Sequence, residues 1–200
     1  MRLPPTLTLA TRNAHKLREF ERLLAPAQIT ITPLPEGIEL PPEVGETYAA
    51  NALAKAQAAA AATGQMTIAD DSGIEAEALG GRPGVRSARY AGPRADDEEN
   101  LAKLEREVTP GSALRYVCVL ALVDSSPARV GERLFTGDCP GRMAPARGGR
   151  RGFGYDPVFV PDGVSPARTM AELADAGKDR ISHRGRAVAA LLAWARGESS

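Results

Sequence analysis

The run Leu114-Arg115-Tyr116-Val117-Cys118-Val119-Leu120-Ala121-Leu122-Val123 is the most apolar stretch of the chain. Val and Leu in near-continuous succession predict a strand buried on both faces, at the centre of a sheet. Glu132 to Cys139 is its expected hairpin partner, across a connection from Asp124 to Gly131. Cys118 belongs to the run and reads as a small core residue. With Cys139 as the second of 2 cysteines, there are too few for a disulfide framework, which points to a reducing, cytoplasmic setting.

Helices and strands alternate around this centre. Thr6 to Ala10 suits a first strand, followed by a helix with Leu17, Phe20, Leu23 and Leu24 on its apolar face. Ile29 to Thr32 reads as a second strand. Pro33 to Gly45, rich in Pro and Gly and carrying Glu36, Glu39 and Glu43, reads as a loop. Thr47 is placed to cap a long Ala-rich helix that ends before Gly64. Met66 to Ala69 predicts a short buried strand that stops at Asp70. Asp96 or Asp97 can cap a helix through Val108, and Pro110-Gly111 ends it. Thr169 can cap a short helix through Leu173, which Gly177-Lys178-Asp179-Arg180 is expected to break. The last helix starts at Ser182-His183-Arg184-Gly185 and buries Val188, Leu191, Leu192 and Ala195. The expected class is α/β in a single domain over residues 1–200, with a sheet made mixed by the hairpin.

Charge narrows the function. Lys+Arg and Asp+Glu both number 25, so bulk attraction to nucleic acid gets no support and no nucleic-acid partner is expected. The chain lacks an apolar run long enough for a membrane span. Met1-Arg2-Leu3-Pro4-Pro5 is broken by prolines before a signal-peptide core could form.

Four stretches carry chemistry. In Ile68-Ala69-Asp70-Asp71-Ser72-Gly73, two adjacent carboxylates follow an apolar run. Neighbouring carboxylates repel unless a cation or proton is shared, so the stretch is either a divalent-metal site or a solvated turn. In Thr11-Arg12-Asn13-Ala14-His15-Lys16, a strand opens into a helix N-terminus, where backbone N–H groups favour phosphate. The bland alternative is an Asn or Thr N-cap beside a solvated Lys16. Thr47, Asn51 and Lys55 recur at i, i+4 and i+8 and form one polar stripe on an alanine helix, facing water or a polar cleft. Finally, Phe153 and Tyr155 are interleaved with Gly152 and Gly154, a placement for stacking on a flat ligand or for packing a loop. Arg142, Arg147, Arg150 and Arg151 cluster on a loop that either binds phosphate or stays solvated. The 2 histidines have no metal-ligand company at a recognisable spacing, so zinc is not expected.

Taken in order, these motifs resemble the inosine triphosphate pyrophosphatase family, which acts on non-canonical purine nucleoside triphosphates. The matching residues are T-R-N-A-H-K (Thr11 to Lys16), A-N-A-x-x-K-A (Ala50 to Ala56) and I-A-D-D-S-G (Ile68 to Gly73). They continue with L-G-G-R-P-G-V-R-S-A-R-Y-A-G (Leu79 to Gly92), G-F-G-Y-D-P (Gly152 to Pro157) and K-D-R-I-S-H-R-G (Lys178 to Gly185). The resemblance implies an elongated mixed α/β fold of two lobes around a central cleft, in a homodimer. It implies Mg²⁺-dependent hydrolysis of ITP, dITP and XTP to the monophosphate and pyrophosphate. Carried over by position, Thr11, Arg12, Asn13, Ala14, His15 and Lys16 would hold the triphosphate, with Asn51 and Lys55 beside them. Asp71 would be proton acceptor and metal ligand, with Glu43 or Asp70 as a second ligand; Lys55 would be a catalytic cation on the phosphate oxyanions, and Ser72 a substrate contact. Phe153, Gly154, Tyr155, Asp156 and Lys178 would bind the nucleoside, and His183 and Arg184 would read the base. Arg12 stands where many members have Gly or Asn, and Ala50 replaces a frequent Glu. The alternatives are a house-cleaning pyrophosphatase for other modified nucleotides and a nucleotide sensor without turnover.

Overall fold

A computed structural model of the protein describes residues 3–124 and 131–198. In chain order the elements are β1 (Thr6–Leu9), α1 (Ala14–Leu24), β2 (Thr30–Pro33), α2 (Tyr48–Thr63), β3 (Thr67–Ala76) and α3 (Asp97–Glu107). They continue with β4 (Ala113–Asp124), β5 (Gly131–Met143), β6 (Phe159–Pro161), α4 (Asp175–Ile181) and α5 (His183–Ala195). The six strands form one sheet in the order β2-β1-β3-β4-β5-β6. It is mixed: β1 runs parallel to β2 and β3, and β5 is antiparallel to β6. This is the α/β class expected. The apolar run is β4, next to β5 as expected, and most of its expected connection (residues 125–130) lies outside the described residues.

The chain divides into two compact units, with β3, β4 and β5 each contributing to both. The first comprises residues 1–71, 118–137 and 184–200. One of its cores joins Leu7 and Leu9 of β1, Phe20 and Leu24 of α1, Ile68 of β3, Leu120 and Leu122 of β4, and Val188 and Leu191 of α5. Full burial of each large apolar side chain contributes about 1.5–3 kcal/mol. A second core is built on small residues. Ala52, Ala56, Ala59 and Ala60 of α2 are wholly buried against Ala10, Ala69, Ala121 and Val123. Alanines at these spacings give the helix a face without bulk. Thr47 caps α2 by accepting from the Ala50 N–H at 3.1 Å, and Gly64, at φ 66°, ends it in a left-handed turn.

The second unit comprises residues 72–117 and 138–183. Its core gathers Ile74, Leu101, Leu104, Leu114, Tyr116, Tyr155, Phe159 and Met170. Asp96 starts α3 with a capping box: its side chain accepts from Glu99 N–H, and the Glu99 carboxylate accepts from Asp96 N–H.

Two expectations change. β3 does not stop at Asp70; it runs unbroken through Asp70-Asp71-Ser72-Gly73 to Ala76. The shorter strand is β1, whose pairing with β3 ends at Leu9 and Ile68. The carboxylates therefore follow the carboxyl end of β1, where open α/β sheets place ligands, and lie within β3. Gly177-Lys178-Asp179-Arg180, expected to break a helix, lies inside α4, where Lys178 is buried against Asp156.

Candidate active site

Adjacent residues of a strand point to opposite faces, and this separates Asp70 from Asp71. Both are buried. Asp70 accepts from Arg184 at 2.9 Å and pairs with Lys16 at 3.1 Å, while Arg184 also binds Glu19 of α1. The row Glu19–Arg184–Asp70–Lys16 alternates in charge, and the Arg184 guanidinium lies 5.7 Å from the Phe20 ring centre. Burial on its own would raise the Asp70 carboxyl. Lys16, Arg184 and Lys55 outweigh it and hold Asp70 far below the ordinary carboxylate range. Asp70 is thus an ionised structural anchor for α1 and α5.

Asp71 has a different environment. Its Oδ2 accepts from Asn51 Nδ2 at 2.9 Å, while Asn51 Oδ1 accepts from the Gly45 N–H at 2.8 Å. Burial, and next the negative charge of Glu43, push the Asp71 carboxyl up, against Asn51 and Lys55. Lys55 donates to Glu43 and to the Asp70 carbonyl oxygen, the latter at 2.7 Å. Burial would lower the Lys55 pKa, but Asp70, Glu43 and Asp71 raise it, so it is a firm ammonium. The polar stripe of α2 therefore faces a charged site: Asn51 and Lys55 are buried, Asn51 on the Asp71 carboxylate and Lys55 between Glu43 and the Asp70 carbonyl. A carboxylate raised toward neutrality is closer to the pKa of an effective general base.

The turn before α1, expected to hold phosphate, is built as a helix cap. Asn13 Oδ1 accepts from the N–H groups of His15 and Lys16, and Thr11 Oγ1 accepts from Asn13 N–H at 3.2 Å. Two of the helix-start donors expected to be free for phosphate are thus occupied. Lys16 is half-buried and paired with Asp70. Arg12, expected on the triphosphate, instead donates to the carbonyls of Leu34, Pro35 and Ile38 at 2.7–2.8 Å. Its guanidinium clamps the loop after β2, because several carbonyls converging on one planar fork satisfy it there. Ala14 and His15 are exposed.

In the second unit, Lys178 donates to Asp156 Oδ2 at 2.6 Å, and Phe153 N–H donates to the same oxygen at 3.0 Å. Lys178 Nζ lies 5.2 Å from the Phe153 ring centre, a cation–π arrangement. His183 is buried and stacks on Tyr116 with centroids 4.5 Å apart and planes within 5°. Asp156, expected on the nucleoside, is buried and engaged with protein donors, so it acts by fixing Lys178 and the Phe153 backbone. Gly154 N–H donates to Asp97 at 3.0 Å. Tyr155 belongs to the core, with its hydroxyl donating to the Ser87 carbonyl at 2.8 Å. Burial raises that phenol, and its contacts are those of a packing residue. Arg184, expected to read the base, directs its guanidinium to Glu19 and Asp70. Arg147 of the arginine loop is paired with Glu98 and Glu105. Ser72 follows Asp71 on β3 and is half-buried.

Sequence reasoning missed Glu19 and Tyr116. Glu19 stands three residues after Lys16, the spacing of a helix-face pair, which was the available signal. Tyr116 lay inside the run read only as core.

The sequence model of the Ham1 family matches residues 7–194. The chain belongs to the Ham1 family. A relative in Mycobacterium bovis named dITP/XTP pyrophosphatase is 45% identical, with 96% of each chain covered. One of the same name in Symbiobacterium thermophilum is 46% identical, covering 93% of this chain and 92% of its own. Ham1 structures agree in fold. A HAM1 protein from Coxiella burnetii superposes with a TM-score of 0.82 at 36% identity, covering 96% of this chain and 98% of its own. The Ham1 protein of Staphylococcus aureus gives 0.77 at 34% identity, over 97% and 100%. No helix among the described residues is long and apolar enough to cross a membrane.

Proposed function

We propose that this chain hydrolyses the non-canonical purine nucleoside triphosphates dITP, ITP and XTP to the monophosphate and pyrophosphate. One observation carries the reading: Asp71, buried, pushed up and held by Asn51, stands with Lys55 and Glu43 in a chain about 45% identical to enzymes named dITP/XTP pyrophosphatase. Cleavage between the α- and β-phosphates needs a base for the attacking water and positive charge for the leaving pyrophosphate. Asp71 takes the proton. Lys55 and Lys16 supply the charge, and loss of one such preorganised donor typically lowers the rate by about 10²–10³. With Arg184 engaged by Glu19 and Asp70, His183, expected to read the base, and Lys178, expected on the nucleoside, are the donors this reading gives to the base. A donor that meets the 6-oxo group of hypoxanthine or xanthine is left unpaired by the 6-amino group of adenine, which disfavours ATP.

Asp71 and Glu43 fit a divalent cation: both offer hard oxygen ligands, and the charge of Glu43 raises the Asp71 carboxyl. Bound there, Mg²⁺ would supply Lewis-acid stabilisation of the phosphate oxygens. A homodimer working on the cytoplasmic nucleotide pool completes the proposal, and light scattering after size exclusion measures the oligomer.

Pyrophosphate release is measured from dITP, ITP, XTP, GTP, ATP and dUTP, with Mg²⁺ and with chelator. Preference for the first three with a metal requirement is expected. Preference for dUTP assigns the chain to other modified nucleotides, and binding without release makes it a sensor. Asp71→Asn is expected to abolish nearly all turnover with the fold retained; substantial residual turnover rejects Asp71 as base.

A further inference from the structure

None of the motifs that carry the resemblance includes Tyr116, yet it touches the base-side residues from two directions. Its ring stacks face to face on His183 at 4.5 Å, and Phe159 braces it edge-on at 4.7 Å with an interplanar angle of 61°. Its hydroxyl donates to Asp156 Oδ1 at 3.3 Å, while Asp156 Oδ2 accepts from Lys178 and from the Phe153 N–H. All of these residues lie in the second unit, and Tyr116 is 6% exposed.

An imidazole can rotate about its side-chain torsions, so a donor meant for one base edge needs its plane fixed. Stacking on a second ring fixes that plane through the ring face and uses neither nitrogen. A carboxylate has the same need: Asp156 orients Lys178 only if its own plane is fixed, and a hydroxyl on its other oxygen supplies that restraint. Tyr116 serves both. It sits on β4, whose position within the sheet makes it a rigid mount.

We propose that Tyr116 is a positioning residue for purine recognition, its ring setting the plane of His183 and its hydroxyl setting the Asp156 carboxylate that orders Lys178 and Phe153. The proposal rests on the reading of His183 and Lys178 as base-recognising donors.

The experiment compares Tyr116→Phe, Tyr116→Leu and His183→Ala in steady-state hydrolysis of ITP and ATP. Tyr116→Leu is expected to raise KM for ITP by about two- to tenfold, the range an aromatic pair contributes, with little change in kcat. Its preference for ITP over ATP is expected to fall by the same factor. Tyr116→Phe keeps the stack and is expected to restore most of that preference. A purely structural tyrosine would lower kcat for both nucleotides together and leave their ratio alone, and that pattern overturns the proposal. His183→Ala separates the two layers. If it leaves KM and the ratio at wild-type values, the base-recognition reading fails. If it shifts them and Tyr116→Leu does not, the positioning role fails. Should Tyr116→Leu not fold, the proton spectrum of the unmodified protein decides. Only 2 histidines are present, so His15→Gln assigns the signals. The His183 Hε1 resonance is expected upfield from ring current, and an unshifted resonance overturns the stack.

Discussion

Asp70→Asn tests the assignment of the two carboxylates directly. The substitution keeps the shape of the side chain and removes one negative charge from a site where the Asp70 and Arg184 side chains are 1% and 2% exposed. In the row, Arg184 would then keep Glu19 alone, and Lys16 would lose the carboxylate it pairs with. Solvent cannot screen cations at that depth, so the penalty is that of a broken buried pair, about 3–5 kcal/mol. For a domain of this size that corresponds to roughly 6–20 °C in Tm. Urea unfolding reads it as a lower midpoint at unchanged slope. The pH dependence supplies a second, independent sign. The folded-state pKa of Asp70 is lowered from 3.8. Its contribution is therefore complete above about pH 4 and is lost as pH falls toward the depressed folded value. The gap between wild type and Asp70→Asn is expected to be widest near neutrality and to shrink in acid. A loss under about 1 kcal/mol at pH 7, the value of an exposed pair, refutes the argument. So does a gap that stays constant with pH.

The other predictions concern single contacts. A Cβ at Gly45 would meet Asn51 Oδ1 at 2.6 Å, so Gly45→Ala is expected to displace the amide that holds Asp71. Its kcat should fall about tenfold, the equivalent of one charge-assisted hydrogen bond, and wild-type pyrophosphate release would contradict this. Gly152 has φ +74°, and a Cβ there would lie 1.9 Å from Asp156 Oδ2; Gly152→Ala is expected to cost about 1–3 kcal/mol in thermal or urea unfolding. Burial first, and then the charge of Asp70, push the Cys118 thiol up to about 12. Mass spectrometry after iodoacetamide at pH 8 is expected to find Cys118 unmodified in the native protein and alkylated once unfolded.

What could be read from the sequence depended on the range of the interactions involved. The stripe of Thr47, Asn51 and Lys55 was legible because helix periodicity alone places those residues together, as was the capping of α2 and α3 by local hydrogen bonds. The course of β3 was not. Asp-Asp-Ser-Gly has the chemistry of a turn, and what keeps it extended is partly a guanidinium 114 positions away along the chain. Gly177 misled in the same way, since local propensity argues against a helix that a buried Lys178–Asp156 pair stabilises. Arg12 and Tyr155 matched the motifs by residue type, but their polar atoms are directed to backbone carbonyls of the chain itself. Type and order identified the family; partners had to come from the fold.

The uninterrupted course of β3 through Asp70 and Asp71 bears on how this protein can be altered. A catalytic group on a loop can be re-aimed by lengthening or shortening the loop, which is how many enzymes acquire new substrates. Here one residue inserted or deleted between Thr67 and Asp70 would exchange the faces of the two carboxylates, putting Asp70 beside Asn51 and Asp71 among the cations Lys16 and Arg184. Descent and engineering alike are thus confined on this strand to substitutions, and changes of chain length must be accommodated elsewhere.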